Sequence, residues 1–203
     1  MMKLKNVATE ILDILEKRRQ ELELTFVEET HIYTMRNSKG ELKSDWQSVS
    51  KVMKYFYEEF DSEGISLRKA KGNLEVQQQL LSEWKAAADY SINVGSRTHF
   101  LLEKKSLELF EINKEVRQPI FECDFEQILK SDSMVTAGTK FLETMKDRGA
   151  LLLDTELILG DNELGYTGAP DKMWLIENKD KTEIGIVCTD YKTNKPKNFD
   201  CHG

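Results

Sequence analysis

A change in residue pattern at Gly149 limits what this chain can fold into more than any other feature of its sequence. Before Gly149, apolar residues recur at the spacing of amphipathic helices, as Val7, Ile11 and Ile14 do. After it come three runs with the composition of β-strands, separated by clusters of turn residues: 151–159, 166–176 and 184–191. Helices followed by a three-stranded meander predict an α+β fold, or a three-layer α/β/α fold in which helices flank a mixed sheet.

The segment before Gly149 predicts several helices and one hairpin. Ser48 has the residue type of a helix N-cap, and Asn37 to Gly40 have the composition of a turn. The pattern is weak between Asp61 and Gly72, so no element is predicted there. The predicted elements are a β-hairpin over residues 24–42 and helices over residues 7–24, 49–57, 74–90, 94–110, 125–129 and 136–146.

The net charge of the 203-residue chain is −7, from 29 basic and 36 acidic residues. A protein that coats nucleic acid through bulk electrostatic attraction is normally basic, so the charge argues against that class. An enzyme that binds phosphates locally, through metal ions and a few lysines, is compatible with it.

The sequence also limits compartment and cofactor. It has no run approaching the roughly 20 apolar residues that span a bilayer, and Met1 to Lys5 lead into charged sequence rather than a signal-peptide core. We therefore expect a cytoplasmic protein without a membrane partner. Because Cys123, Cys188 and Cys201 lack CxxC spacing, we expect neither a disulfide framework nor a four-thiolate site, and so no iron–sulfur cluster.

Acidic residues fall at the predicted strand ends. Asp190 and Lys192 have the same parity at the end of the third run, so they project from one face. Asp171 follows Pro170, which has no N–H for the sheet, so we expect an edge, bulge or bend there that aims Asp171 toward Asp190. Glu156 lies in the first run.

Asp171 and Asp190 together are suited to one or two hard divalent cations. Lys192 would then orient or deprotonate a water molecule. The competing interpretation of Asp190 and Lys192 is a solvated ion pair. A further candidate pair, His99 and Glu103, lies four residues apart on one face of a predicted helix.

Taken together, these motifs resemble the PD-(D/E)XK nuclease superfamily, and within it the RecB-like exonuclease branch with its phage-encoded members. The resemblance runs from about Glu28 to the C-terminus, because two lead-in segments, residues 30–33 and 48–50, also fit phage versions. The motifs are Gly95-x-x-x-His99-x-x-x-Glu103, Gly168-x-Pro170-Asp171 and Asp190-Tyr191-Lys192.

The resemblance implies a restriction-endonuclease-like core over residues 61–203, preceded by a helix and hairpin appendage over residues 1–60. It implies a metal-dependent DNA nuclease, expected to be an exonuclease, in recombination, repair or end processing, located in the host cytoplasm if phage-encoded. The cofactor would be Mg²⁺ or Mn²⁺, and the partner DNA. The implied metal ligands are His99, Asp171, Asp190 and the carbonyl of Tyr191. The implied catalytic residues are Lys192, Asp171, Asp190, Glu103 and Glu156. Lys195 and Lys197 would contact the DNA backbone.

The sequence departs from the family after Lys192. Family members continue with a helix carrying a Gln-x-x-x-Tyr motif, which is absent from the eleven residues 193–203. We therefore expect a C-terminally incomplete core. The chain would then be a fragment, or a natural truncation completed by a homo-oligomer or a partner chain, or its site would no longer be competent. We also expect the isolated chain to associate or to be marginally stable. Two other functions stay open: a non-catalytic nucleic-acid- or protein-binding module on a nuclease scaffold, and a structural interaction protein with chance motifs.

Overall fold

A computed structural model describes residues 2–27, 30–56 and 60–193 as a mixed α+β protein. Its residues group into two compact units. The first unit contains residues 2–27, 30–56, 60, 109–111 and 143–190, and the second contains residues 61–108, 112–142 and 191–193.

The described helices are fewer and longer than the sequence predicts. Two predicted helices, over 74–90 and 94–110, are one helix, and so are those over 125–129 and 136–146. Neither junction contains proline, and the Ser91 hydroxyl bonds the Ala87 carbonyl inside the helix (2.9 Å) instead of breaking it. The helices are α1 (Met2–Glu21), α2 (Val49–Lys54), α3 (Ser62–Ala70), α4 (Leu74–Leu109) and α5 (Phe125–Asp147).

Side-chain caps explain where two of the shorter helices begin. Ser48 Oγ accepts the Lys51 N–H at 3.2 Å, which confirms the predicted N-cap, although α2 ends at Lys54 and not near residue 57. Asp61 caps α3, which the sequence analysis missed, by accepting the Gly64 N–H at 2.7 Å.

The strands confirm the predicted β-rich C-terminal part and the N-terminal hairpin, but two predicted strands are broken. The run 151–159 forms two strands and so does the run 166–176, because the chain bends between their halves. The strands are β1 (Thr25–Val27), β2 (Ile32–Arg36), β3 (Leu42–Lys43), β4 (Gln47–Ser48), β5 (Leu151–Thr155), β6 (Leu159–Asp161), β7 (Tyr166–Gly168), β8 (Lys172–Glu177) and β9 (Ile184–Thr189).

All three sheets lie in the first unit. The order β1-β2-β3 is antiparallel, and it adds one short strand to the predicted hairpin. The sheet β5-β8-β9 is also antiparallel, whereas β4-β7-β6 is mixed because β4 runs parallel to β7. The predicted three-stranded meander therefore corresponds to the sheet β5-β8-β9. The remaining parts of its first two runs, β6 and β7, pair in the sheet β4-β7-β6 instead.

Helix α1 covers one face of β5-β8-β9. The buried side chains there are Leu4, Leu153, Met173 and Leu175. On the opposite face, Trp174 is fully buried, packs edge-on against Phe110 with ring centroids 5.3 Å apart, and donates its indole N–H to the Thr189 hydroxyl at 2.9 Å. A smaller cluster of Leu22, Leu24 and Met35 packs with Trp46 and Ile158.

The second unit is built on the packing of α4 against α5. Thr98 and Ser131, both buried, share a hydrogen bond of 2.9 Å between their hydroxyls. Arg97 forms an ion pair with Asp132 at 2.7 Å. A Cβ on Gly138 would meet Leu102 at 2.6 Å, so glycine is what lets the two helices approach at this point.

Over residues 2–27, 30–56 and 60–193, none of the helices combines the length and the apolar character needed to cross a membrane.

Candidate metal centre

Three acidic residues follow one another across the end of the sheet β5-β8-β9. The last paired row of this sheet consists of Thr155, Lys172 and Thr189, one residue from each strand. The next position outward is acidic on every strand, and the Glu156 N–H extends the pairing by donating to the Asp171 carbonyl at 3.2 Å. We call these three residues the acidic row: Glu156, Asp171 and Asp190.

Glu156 and Asp171 are brought close enough to share a cation. Each offers a carboxylate oxygen, and these two atoms lie within 4.8 Å of each other. Asp171 is 7% exposed, whereas Glu156 is open to solvent. Hard divalent ions bind carboxylate oxygens and retain waters on the open side, so this pair suits Mg²⁺ or Mn²⁺.

The bend before Asp171 depends on glycine and proline. A Cβ on Gly168 would lie 3.1 Å from Val49 Cγ2, so glycine allows α2 to sit against the end of β7. Pro170 has no N–H to donate, and pairing stops between Gly168 and Lys172. This break is the bend that Pro170 predicts.

Glu156 occupies the acidic row in an unusual backbone conformation. Its φ of 48° lies in the left-handed region, which residues other than glycine rarely adopt because this backbone conformation costs free energy. The backbone turns there directly after β5, before Leu157 and Ile158 pack into the two apolar clusters of the first unit.

Lys172 lies directly behind the acidic row and is only 1% exposed. Its neighbours in the paired row, Thr155 and Thr189, contribute hydroxyl groups, and Thr155 is fully buried. Lys172 is not among the site residues predicted from the sequence. The sequence does carry one signal of its burial, which is its position between Asp171 and an entirely apolar run, Met173 to Ile176.

In the second unit, His99 lies on the face of α4 that also carries Gly95 and Glu103. The His99 ring meets the Tyr191 ring edge-on, with centroids 6.1 Å apart. One turn earlier, a Cβ on Gly95 would lie 3.2 Å from the Thr193 hydroxyl. The segment from Tyr191 to Thr193 therefore runs antiparallel to α4 along this face, and a side chain at position 95 would press on it.

The remaining predicted residues are placed as follows. Glu103 is half-buried, one turn beyond His99 on α4. Asp190 and Lys192 are exposed, beyond the end of β9. Lys195 and Lys197 lie outside the described residues. The structure thus brings Glu156 and Asp171 together in the first unit, and His99 and Tyr191 together in the second.

Tyr33, on β2, is affected by the charge of Glu156 in the acidic row. Burial, and then the negative charge of Glu156, raise the pKa of the Tyr33 phenol. The sequence predicts no site role for Tyr33, since nothing in the local pattern links it to Glu156, more than a hundred positions away.

Comparison with known proteins returns no match: none among protein-family models, none among curated proteins and none among solved structures.

Proposed function

We propose that this chain is a metal-dependent deoxyribonuclease of the PD-(D/E)XK type, with a restriction-endonuclease-like core of the RecB-like branch, and that it hydrolyses DNA phosphodiester bonds with Mg²⁺ or Mn²⁺. The observation that carries the proposal is the pair of carboxylates, Glu156 and Asp171, within 4.8 Å at the end of a sheet. Asp190 lies at the same end of the neighbouring strand.

In the proposed site the acidic row supplies the oxygen ligands, and His99 supplies a nitrogen ligand. The contact between His99 and Tyr191 supports this assignment, because Tyr191 directly follows Asp190 in the chain. Imidazole with carboxylates is a donor set that accepts Mn²⁺ as well as Mg²⁺. Glu103 lies on the same helix face as His99 and has a supporting acidic role.

When bound, the ion supplies Lewis-acid stabilisation of the phosphate and lowers the pKa of a bound water. The protein's part in the chemistry is to hold the carboxylates, to place the phosphate, and to orient the attacking water with the ammonium group of Lys192. Lys192 is exposed and follows Asp190 by two residues. Lys195 and Lys197 would add contacts to the DNA backbone.

The test is cleavage of linear and circular DNA with Mg²⁺, with Mn²⁺ or with a chelator, alongside calorimetric titration of each ion. We expect cleavage only with an ion. Asp171→Asn should weaken ion binding at least ten-fold and abolish cleavage, because it removes a buried carboxylate. Lys192→Ala should abolish cleavage and leave ion binding intact.

Asp180→Asn, an exposed acid in the turn between β8 and β9 at the far end of the sheet, is the matched control and should change neither measurement. A wild-type chain that binds no divalent ion would end the proposal, as would a Lys192→Ala variant that cuts like the wild type. DNA binding without cleavage under every ion would favour the non-catalytic module.

A further inference from the structure

The hairpin β1-β2 carries an aromatic cluster on one face. Phe26 and Tyr33 are direct cross-strand partners, and their rings lie 4.4 Å apart with a 30° tilt. The exposed His31 ring meets the edge of Phe26, with centroids 5.8 Å apart. We call Phe26, His31 and Tyr33 the aromatic arm. Phe26 and Tyr33 are half-buried, so part of each ring is open to solvent.

Tyr33 of the aromatic arm and Glu156 flank the same apolar cluster of the first unit. Alternation along β2 puts Tyr33 on the same face as Met35, and Met35 packs in the cluster that includes Ile158. Tyr33 lies two residues before Met35 in β2, and Glu156 lies two residues before Ile158 in the chain. The charge of Glu156 accordingly contributes to the raised pKa of Tyr33. All of these residues belong to the first unit.

We propose that the aromatic arm stacks on an unpaired nucleobase of the DNA whose phosphate lies at the acidic row. This inference rests on the proposed function and deepens it, since it identifies the substrate as DNA with an unpaired end. Ring faces stack on any base, so the arm would hold an end without reading its sequence.

The charge around the arm favours a base over a phosphate as its ligand. Residues 25–35 contain no lysine or arginine, so the arm offers a phosphate no cation of its own. A flat neutral base, by contrast, gains stacking contact with the rings. The phosphate is left to the metal centre and to the lysines beyond β9.

The experiment uses the full chain in a Lys192→Ala background, so that DNA stays intact, with Mg²⁺ present. The probe is a single-stranded oligonucleotide with a terminal 2-aminopurine, whose fluorescence is quenched when it stacks. We expect quenching by the parent protein, loss of the quenching in Phe26→Leu and in Tyr33→Leu, and about ten-fold weaker binding in each. Tyr33→Phe, which keeps the ring, should bind and quench as the parent does.

Phe56→Leu, which removes an exposed aromatic ring elsewhere in the first unit, is the control and should change nothing. His31→Leu tests the arm even if Phe26→Leu or Tyr33→Leu fails to fold, because His31 is exposed and its replacement should not affect folding. This variant should weaken quenching about three-fold. Covalently closed circular duplex DNA, which has no end and no unpaired base, should bind equally to the parent and to Phe26→Leu. If the parent binds no DNA, the proposed function and the arm both fall. If it binds DNA and the Leu variants quench equally, only the arm is overturned.

Discussion

At the scale of single residues, Glu156 has a side chain suited to a metal and a backbone conformation suited to glycine. Its φ of 48° costs about 1 kcal/mol relative to glycine. Glu156→Gly should therefore raise the free energy of unfolding by up to about 1 kcal/mol while weakening Mg²⁺ and Mn²⁺ binding, because a carboxylate is lost. Urea denaturation in chelator and calorimetric titration measure the two effects.

Glu111→Gly is the matched control for this prediction. Glu111 is also acidic, belongs to the first unit and has a φ of 56°, but it lies just beyond α4 and is not part of the acidic row. It should show the same gain in stability with unchanged ion affinity. Equal ion affinity in Glu156→Gly and the wild type would remove Glu156 from the metal centre.

Single residues also mark how far the sequence could predict the candidate site. Pro170 indicates the bend that positions Asp171, because a missing N–H has a local consequence. The burial of Lys172 is signalled only by the apolar run that follows it, because lysines in strands are normally exposed and its environment is created by neighbouring strands. Tyr33 depends on how a distant hairpin packs, which no local pattern encodes.

At the scale of elements, the contact between α4 and the segment 191–193 links helix packing to the position of Lys192. Gly95→Ala favours the helix by up to about 1 kcal/mol, yet the added Cβ would lie 3.2 Å from the Thr193 hydroxyl. The segment would have to shift, and Lys192 with it. We expect unchanged or higher thermal stability and cleavage slower by about ten-fold, because small displacements of catalytic groups are costly.

The double variants identify the cause of any loss. Gly95→Ala with Thr193→Ala removes the crowding atom and should restore cleavage, whereas Gly95→Ala with Thr193→Ser keeps the hydroxyl and should not. Full activity in Gly95→Ala alone would show that the segment tolerates the added methyl group and that Gly95 serves the helix only.

Most element types followed from the sequence, with α3 as an exception, but element boundaries did not. Helical and strand-like patterns are local, so the helices, the hairpin and the β-rich C-terminal part are predicted from spacing. The continuity of α4 is decided by packing with α5 through Thr98 and Ser131, which overrides weak local signals near Ser91. Strand breaks likewise reflect which sheet each half joins.

At the scale of the whole molecule, β9 is the feature that most affects association. Within the described part of the chain, β9 pairs with β8 alone, so its other edge carries backbone groups available to a further strand. Its residues, Ile184 to Thr189, include no charge and no proline that would discourage pairing. Ile186 is 51% exposed and Val187 41% exposed, one on each face.

We therefore predict that the chain self-associates with rising concentration, despite its net charge of −7, and that Val187→Lys shifts it toward monomer. A lysine there adds repulsion between two β9 edges, and its cross-strand partner Trp174 is held separately by the indole hydrogen bond to Thr189. Light scattering across a concentration series, with reductant to keep the exposed Cys188 reduced, measures the change.

Leu164→Lys is the control, because it also introduces a lysine in place of an exposed apolar residue, in the turn between β6 and β7 and away from any strand edge. It should leave association unchanged. A wild-type chain that stays monomeric throughout the series would show that this edge does not pair.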